Sequence, residues 1–226
     1  MTEQVDEYLN FSDKINDFLS ALMVAENLHY EDYYYSYVWD YVKEKGVAIR
    51  GFSFDGIAKE RISGMIVQDG LETTIGYNQN MVEKRKNFTI SHEITHYLFH
   101  LNEENPIFTD TENSLHYSYN EILHEFQANI GASAILIPDV VLFRFLKKGW
   151  SLSSLSQHFG ISESALYIRL IQTMQAYFNV SYIAAKTNAD NIRYKFYGKG
   201  KSAAAELGKN LESRLLRTNR FIEALG

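Results

Sequence analysis

No cysteine occurs in the 226 residues. That excludes a disulfide scaffold, a thiol nucleophile and any thiolate metal site. The only two prolines are Pro106 and Pro138, and neither a low-complexity linker nor an internal repeat divides the chain. No apolar run reaches the roughly 18 residues that a membrane-spanning helix needs. The opening MTEQVDEYLNFSDK is acidic and lacks the positive patch and apolar core of a secretory signal. A soluble, cytoplasmic protein is the expectation. Bases are also scarce, 22 against 28 acids, so the chain as a whole is a poor polyanion binder. The deficit is uneven: residues 1–81 carry a net −8, residues 82–185 −3 and residues 186–226 +5. Lys199, Lys201, Lys209, Arg214, Arg217 and Arg220 form a basic C-terminal stretch, read mainly as a solvated helix face.

What remains is globular: 46% of residues are hydrophobic and 14% aromatic, enough for one compact domain or a domain with a small appendage. Phe11, Ile15, Phe18 and Leu22 recur at helical spacing. So do Tyr34, Val38 and Tyr41, with Gly46 as the stop. The tyrosine cluster at 33–37 reads as core. The pattern then changes. Val47–Phe54, Gly64–Gln68 and Glu72–Tyr77 are short, rich in β-branched or aromatic residues, and separated by Gly56, Gly64 and Gly70. They predict a small antiparallel sheet. Helical patterning resumes over 83–101, 120–136, 139–148, 152–159 and 163–178, and again over about 202–225. Residues 185–200 fit neither pattern. Asn102–Asn120 is polar and aperiodic, which predicts a lid or mobile loop.

The chemistry concentrates in Phe88-Thr89-Ile90-Ser91-His92-Glu93-Ile94-Thr95-His96-Tyr97-Leu98-Phe99-His100. His92 and His96, four apart on a helix, can reach one metal ion side by side. Glu93 lies about 100° around from His92, near a metal-held water yet free to act as a base. Ile90, Ile94, Tyr97, Leu98 and Leu101 occupy a separate arc that faces the core, so the histidine flank faces a cleft.

An open zinc site needs a third protein ligand. The pattern HExxHxxGxxH fails, because Phe99 stands at the glycine position and Asn102 at the third histidine. Without cysteine, a carboxylate on a following helix is the remaining choice. Glu125 is favoured because Ala128 and Ala132 beside it permit close helix approach, and Glu121, one turn back, is the competitor. Asn129 suits either a hydrogen bond to a ligand imidazole or a plain helix–helix contact. His100 flanks the site. His116, Tyr117 and Tyr119 in the lid are candidates for holding a developing oxyanion.

The run KRKNFTISHEITHYLFH, followed by EFQANIGASAILIP, resembles the ImmA/IrrE-type zinc metallopeptidases. Their pattern is Arg-x-x-Phe-Thr-x-x-His-Glu-x-x-His, then Glu-x-x-Ala-Asn/Asp-x-x-Ala and Leu-x-x-Pro. The resemblance covers roughly residues 45–175. It implies His92, His96 and Glu125 as zinc ligands and Glu93 as the catalytic base. It also implies a protein substrate, since family members cleave helix-turn-helix repressors and are often encoded on mobile elements. Two positions depart from the pattern. Thr95 stands where glycine often precedes the second histidine, and the usual phenylalanine of the second motif is replaced around Gly131.

Leu155–Leu166 also matches a helix-turn-helix, with Ser156, the turn Gly160, Ile161 and the capping Ser162. Its second helix carries Arg169 as its only base, a poor endowment for phosphate contact. Taken together, the expectation is an α+β fold. Its mainly helical, zincin-like (gluzincin-like) metallopeptidase core has a small antiparallel sheet and is followed by a helix-turn-helix-like segment. The expected divisions are N-terminal helices 1–46, core 47–148, helix-turn-helix-like segment 149–180 and basic extension 181–226. The expected activity is zinc-dependent endopeptidase action on a protein or peptide, such as a transcriptional repressor. The substrate would add to an edge strand at Glu72–Tyr77. The alternative is a DNA-binding or repressor-sequestering regulator with a structural or vestigial metal site.

Overall fold

The computed structural model describes residues 2–53, 62–68, 71–101, 107–111, 119–194 and 200–217. The first elements are helices α1 (Thr2–Ala25) and α2 (Ser36–Glu44), then strands β1 (Val47–Phe52), β2 (Ile62–Gln68) and β3 (Thr73–Asn78). Helix α3 (Glu83–Phe99), strand β4 (Ile107–Thr111) and helix α4 (Tyr119–Leu136) follow. The chain continues through helices α5 (Asp139–Lys147), α6 (Leu152–Phe159), α7 (Glu163–Phe178), α8 (Tyr182–Tyr194) and α9 (Gly200–Arg217). These elements form two compact units, Ser36–Ala132 and Met1–Tyr35 with Ser133–Gly226. No single helix is long and apolar enough to cross a membrane among the described residues.

The first unit holds the sheet, in strand order β1-β3-β2-β4. The sheet is mixed: β2 pairs antiparallel with β3, whereas β3, which lies between β2 and β1, pairs parallel with β1. The expected antiparallel pairing holds for β2–β3 but not for β1–β3; β2 also pairs antiparallel with β4. A second correction concerns β3, which is an interior strand, so Glu72–Tyr77 offers no edge for a substrate. A third concerns the aperiodic stretch 102–120. Residues Ile107–Thr111 within it form β4 against β2, because strand formation there follows from the partner's edge rather than from alternation in its own sequence. Gly56, Gly70, Pro106, His116 and Tyr117 lie outside the described residues, as does the side chain of Tyr119.

Ile66 and Ile75 are adjacent in register and fully buried. They lie in the two strands that pack on α3. Arg85, in the first turn of α3, donates to Ser63 at 3.0 Å, where β2 shifts register against β4 between Ile62 and Gly64.

The second unit is helical. Tyr8, Phe11, Ile15, Leu19 and Met23 form the buried stripe of α1, and Leu19 takes the place expected for Phe18, which is half-buried. In the tyrosine cluster of this unit, Tyr33 and Tyr35 are core whereas Tyr34 is exposed. The side chain of Ser151 caps α6 by accepting from Ser154 N, and that of Ser162 caps α7 by accepting from Ala165 N. Gly160 between the two helices has φ 63°, a left-handed conformation that suits glycine.

Arg169 does not face outward as a DNA-contacting base would. It is 2% exposed and donates to the carbonyl oxygens of Ser133 and Ile137 and to the Asp139 carboxylate. These acceptors are carbonyls of the last turn of α4 and of the link after it, and the first residue of α5. Asp139 also accepts from Ser12 at 3.3 Å, and its backbone N–H donates to Asn16 at 2.8 Å.

In the basic stretch, Lys201, Lys209 and Arg214 are exposed. Lys199, Arg220 and the side chain of Arg217 lie outside the described residues. Residues 182–194, left partly ambiguous by their sequence, form α8.

Candidate metal centre

Three potential ligand residues converge in the first unit. His92 Nε2 and His96 Nε2 are 3.1 Å apart. Glu125 Oε2 lies 3.2 Å from His92 Nε2, and Glu125 Oε1 lies 3.4 Å from His96 Nε2. Zinc bonds of about 2.0–2.1 Å in tetrahedral geometry place neighbouring ligands about 3.4 Å apart. These separations are close to that spacing, and one ligand atom from each of the three residues lies within 4.8 Å of the other two. Two imidazoles and one carboxylate also match the donor set of open zinc sites, so these residues fit the ion. They form the one potential metal-holding group of three or more among the described residues.

The helices bring these atoms together for local reasons. His92 and His96 share a face by their i, i+4 spacing. Glu125 arrives from α4, which approaches α3 closely because Gly131 has no side chain. A Cβ there would lie 2.3 Å from Thr95 Cγ2 and 2.4 Å from its Oγ1. The two departures from the family pattern are thus one feature: the larger residue on α3 is received by the smaller one on α4. Thr95 further fixes its rotamer by donating to Ser91 O at 2.9 Å.

Glu93 is fully buried, and strand β2 passes directly over it. A Cβ on Gly64 would lie 2.6 Å from Glu93 Oε1 and 2.5 Å from Thr89 Cγ2. Glycine is what lets the strand backbone approach this carboxylate. Sequence patterning reads Gly64 only as a strand boundary.

Asn129 Oδ1 stands 3.3 Å from His92 Nδ1. An amide oxygen only accepts, so Nδ1 is the donor in this contact. Burial pushes His96 below the ordinary imidazole value, against the pull of Glu125. Burial alone would raise the Glu125 carboxyl. The hydrogen bonds and charge of His92 and His96 outweigh it and hold Glu125 well below the usual carboxylate range. Glu125 therefore stays ionised and ready to bind a cation.

The expected cleft-facing flank is more enclosed than helical spacing suggests. His92, Glu93 and His96 are all buried among the described residues, while Tyr97 and Leu98 on the expected core arc are only half-buried. Glu125 is 23% exposed. The side chain of its competitor Glu121 lies outside the described residues. His100, expected to flank the site, is buried beside His96, and its ring stacks on His124 at 4.5 Å. Nothing in the sequence patterning singles out Gln127, which contacts His100, beyond its place two residues after Glu125.

No curated protein matches the chain. The model of one family does, the M78 peptidase family, described as the IrrE N-terminal-like domain, over residues 42–189. The match spans the sheet, both site helices and the α6–α7 segment. The family suggests metallopeptidase activity, with a protein or peptide as the general class of substrate. The cluster of His92, His96 and Glu125 is compatible with that activity. The chain belongs to the M78 peptidase family, with an IrrE N-terminal-like domain.

Proposed function

We propose that this chain is a zinc-dependent endopeptidase of the cytoplasm with a zincin-like core. In this reading it cleaves a protein substrate such as a helix-turn-helix repressor or another transcription regulator. His92, His96 and Glu125 hold the ion, and Glu93 is the general base. The observation that carries this reading is the convergence of His92, His96 and Glu125, with the two Nε2 atoms 3.1 Å apart and each within 3.4 Å of a Glu125 carboxylate oxygen. When bound there, zinc supplies Lewis acidity to a water and to the scissile carbonyl.

The remaining work falls to the chain's own groups. Glu93 takes a proton from the attacking water and delivers it to the departing amine. Its burial beneath β2 keeps the carboxylate in place for both transfers. Asn129 orients His92 by accepting from Nδ1. With β3 interior, an extended substrate would add to a sheet edge, and β4 is the edge strand beside β2, the strand that covers Glu93.

The DNA-binding alternative lacks its cation. Arg169, the one base on α7, is consumed by two carbonyls and Asp139. The α6–α7 segment is better suited to packing or to docking a substrate.

A peptide library incubated with the purified protein, with new termini read by mass spectrometry, tests the proposal. Cleavage is expected with zinc, to stop with 1,10-phenanthroline, and to return on adding zinc. Sequence-specific retardation of duplex DNA without any cleavage would favour the regulator instead.

A further inference from the structure

Strand β2 departs from strict alternation at one point. Gly64 and Ile66 are buried, with Met65 and Val67 only half-buried between and after them, yet Ser63 is buried as well. Successive side chains of a regular strand point to opposite faces, which would send Ser63 to the side of Met65, away from α3. Instead Ser63 and Gly64 both meet α3. The Ser63 hydroxyl accepts from the Arg85 guanidinium at 3.0 Å, and the Gly64 backbone lies against Thr89 and Glu93. The register supplies the reason. Ile62 is opposite Thr111 and Gly64 is opposite Asp110, so two steps along β2 match one along β4. Ser63 is the extra residue of a β-bulge, which bends its strand and re-aims the side chain there.

Arg85, Thr89 and Glu93 follow one another at four-residue spacing on α3, so they share one stripe of the helix. The bulge sits at the Arg85 end of that stripe and Gly64 at the Thr89 and Glu93 end. The Arg85–Ser63 bond thus ties β2 to the first turn of α3, one residue before the glycine that covers Glu93. A hydrogen bond from a cation is roughly twice as strong as a neutral one, and Ser63 is 7% exposed, so little water competes for its hydroxyl.

We propose that Arg85 and Ser63 are positioning residues that pin the β2 bulge, so that the Gly64 backbone holds the Glu93 carboxylate where it takes its proton. The proposal rests on the reading of Glu93 as the general base. Neither residue is one of the three proposed ligands, so their variants are expected to keep the wild-type zinc content.

Arg85→Met, Ser63→Ala and the double variant test this by two routes. The first is kinetics on one peptide that the wild type cleaves. Each single variant is expected to lower kcat about 10- to 100-fold, the scale of a misplaced catalytic group, with KM unchanged. Both remove the same bond, so the double variant is expected to be no slower than the slower single one. Arg85→Lys, which can still donate to Ser63, is expected to recover most of the rate. The second route is amide hydrogen exchange of the metal-free protein, followed by NMR. Amides of residues 63–66 are expected to exchange about tenfold faster in either single variant, the worth of one lost hydrogen bond to a charged group. Losses that multiply in the double variant, or a loss confined to KM, would overturn the proposal. So would unchanged exchange along β2 in both folded single variants. If exchange rises as expected but the wild type cleaves nothing and takes up no zinc, the metallopeptidase reading fails while the clamp on β2 stands.

Discussion

Glu93→Gln is expected to lower peptide-bond cleavage by about 10²- to 10⁴-fold, the usual contribution of a positioned general base, while zinc content stays unchanged. Glutamine keeps the size of the side chain but cannot take a proton from water. Because Glu93 is not one of the three proposed ligands, the ion has no reason to leave. Gly64→Ala reaches the same carboxylate from the other side. Its new Cβ would lie 2.6 Å from Glu93 Oε1, so either the carboxylate or β2 must move. Zinc binding is expected to persist there too, with cleavage falling in the same direction. Parallel assays of zinc content and cleavage rate check both variants. Full activity in Glu93→Gln would remove Glu93 from the reaction.

The largest expected loss of stability is at Arg169. The residue is 2% exposed, and its guanidinium meets the Ser133 and Ile137 carbonyls and the Asp139 carboxylate at 2.5–2.6 Å. Arg169→Leu removes the cation, leaving Asp139 a buried charge without its counter-ion and two carbonyls without a donor. Breaking one side of such a pair typically costs about 3–5 kcal/mol. Replacing both sides with apolar groups, as in Arg169→Leu/Asp139→Leu, costs less, since no uncompensated charge is left. Urea unfolding of the wild type and both variants checks this. A loss below about 1 kcal/mol for the single variant would mean the site is wet enough to solvate the lone carboxylate.

The parts of the molecule that follow from local spacing are the parts its sequence discloses. His92 and His96 sit four apart on a helix, and Ala128 and Ala132 beside Glu125 mark it out in the sequence, although the residue that admits α3 is Gly131. In the structure their ligand atoms meet. The caps at Ser162 and Gly160 likewise follow from neighbours in the chain.

What sequence patterning misses depends on who lies opposite. Periodicity says that β1, β2 and β3 are strands, but neither that β3 enters between the other two nor that it pairs parallel with β1. Ile107–Thr111 has no alternation of its own and becomes a strand because β2 has an edge to offer. Gly64 looks like a boundary until Glu93 is seen beneath it. Thr95 and Gly131, 36 positions apart, look like unrelated departures until one is found to fill the space left by the other. Arg169 looks like a candidate for phosphate until its burial is known. A single charged residue on an otherwise apolar helix can face either way, and only its partners decide.

Whether two imidazoles from α3 and one carboxylate from α4 share an ion decides the proposed function. Elemental analysis of the purified wild type alongside His92→Ala and Glu125→Ala measures this most directly. About one equivalent of zinc per chain is predicted for the wild type, with the ion lost from both folded variants after dialysis. A wild type that takes up no zinc, or variants that retain it in full, would contradict the proposed metal centre.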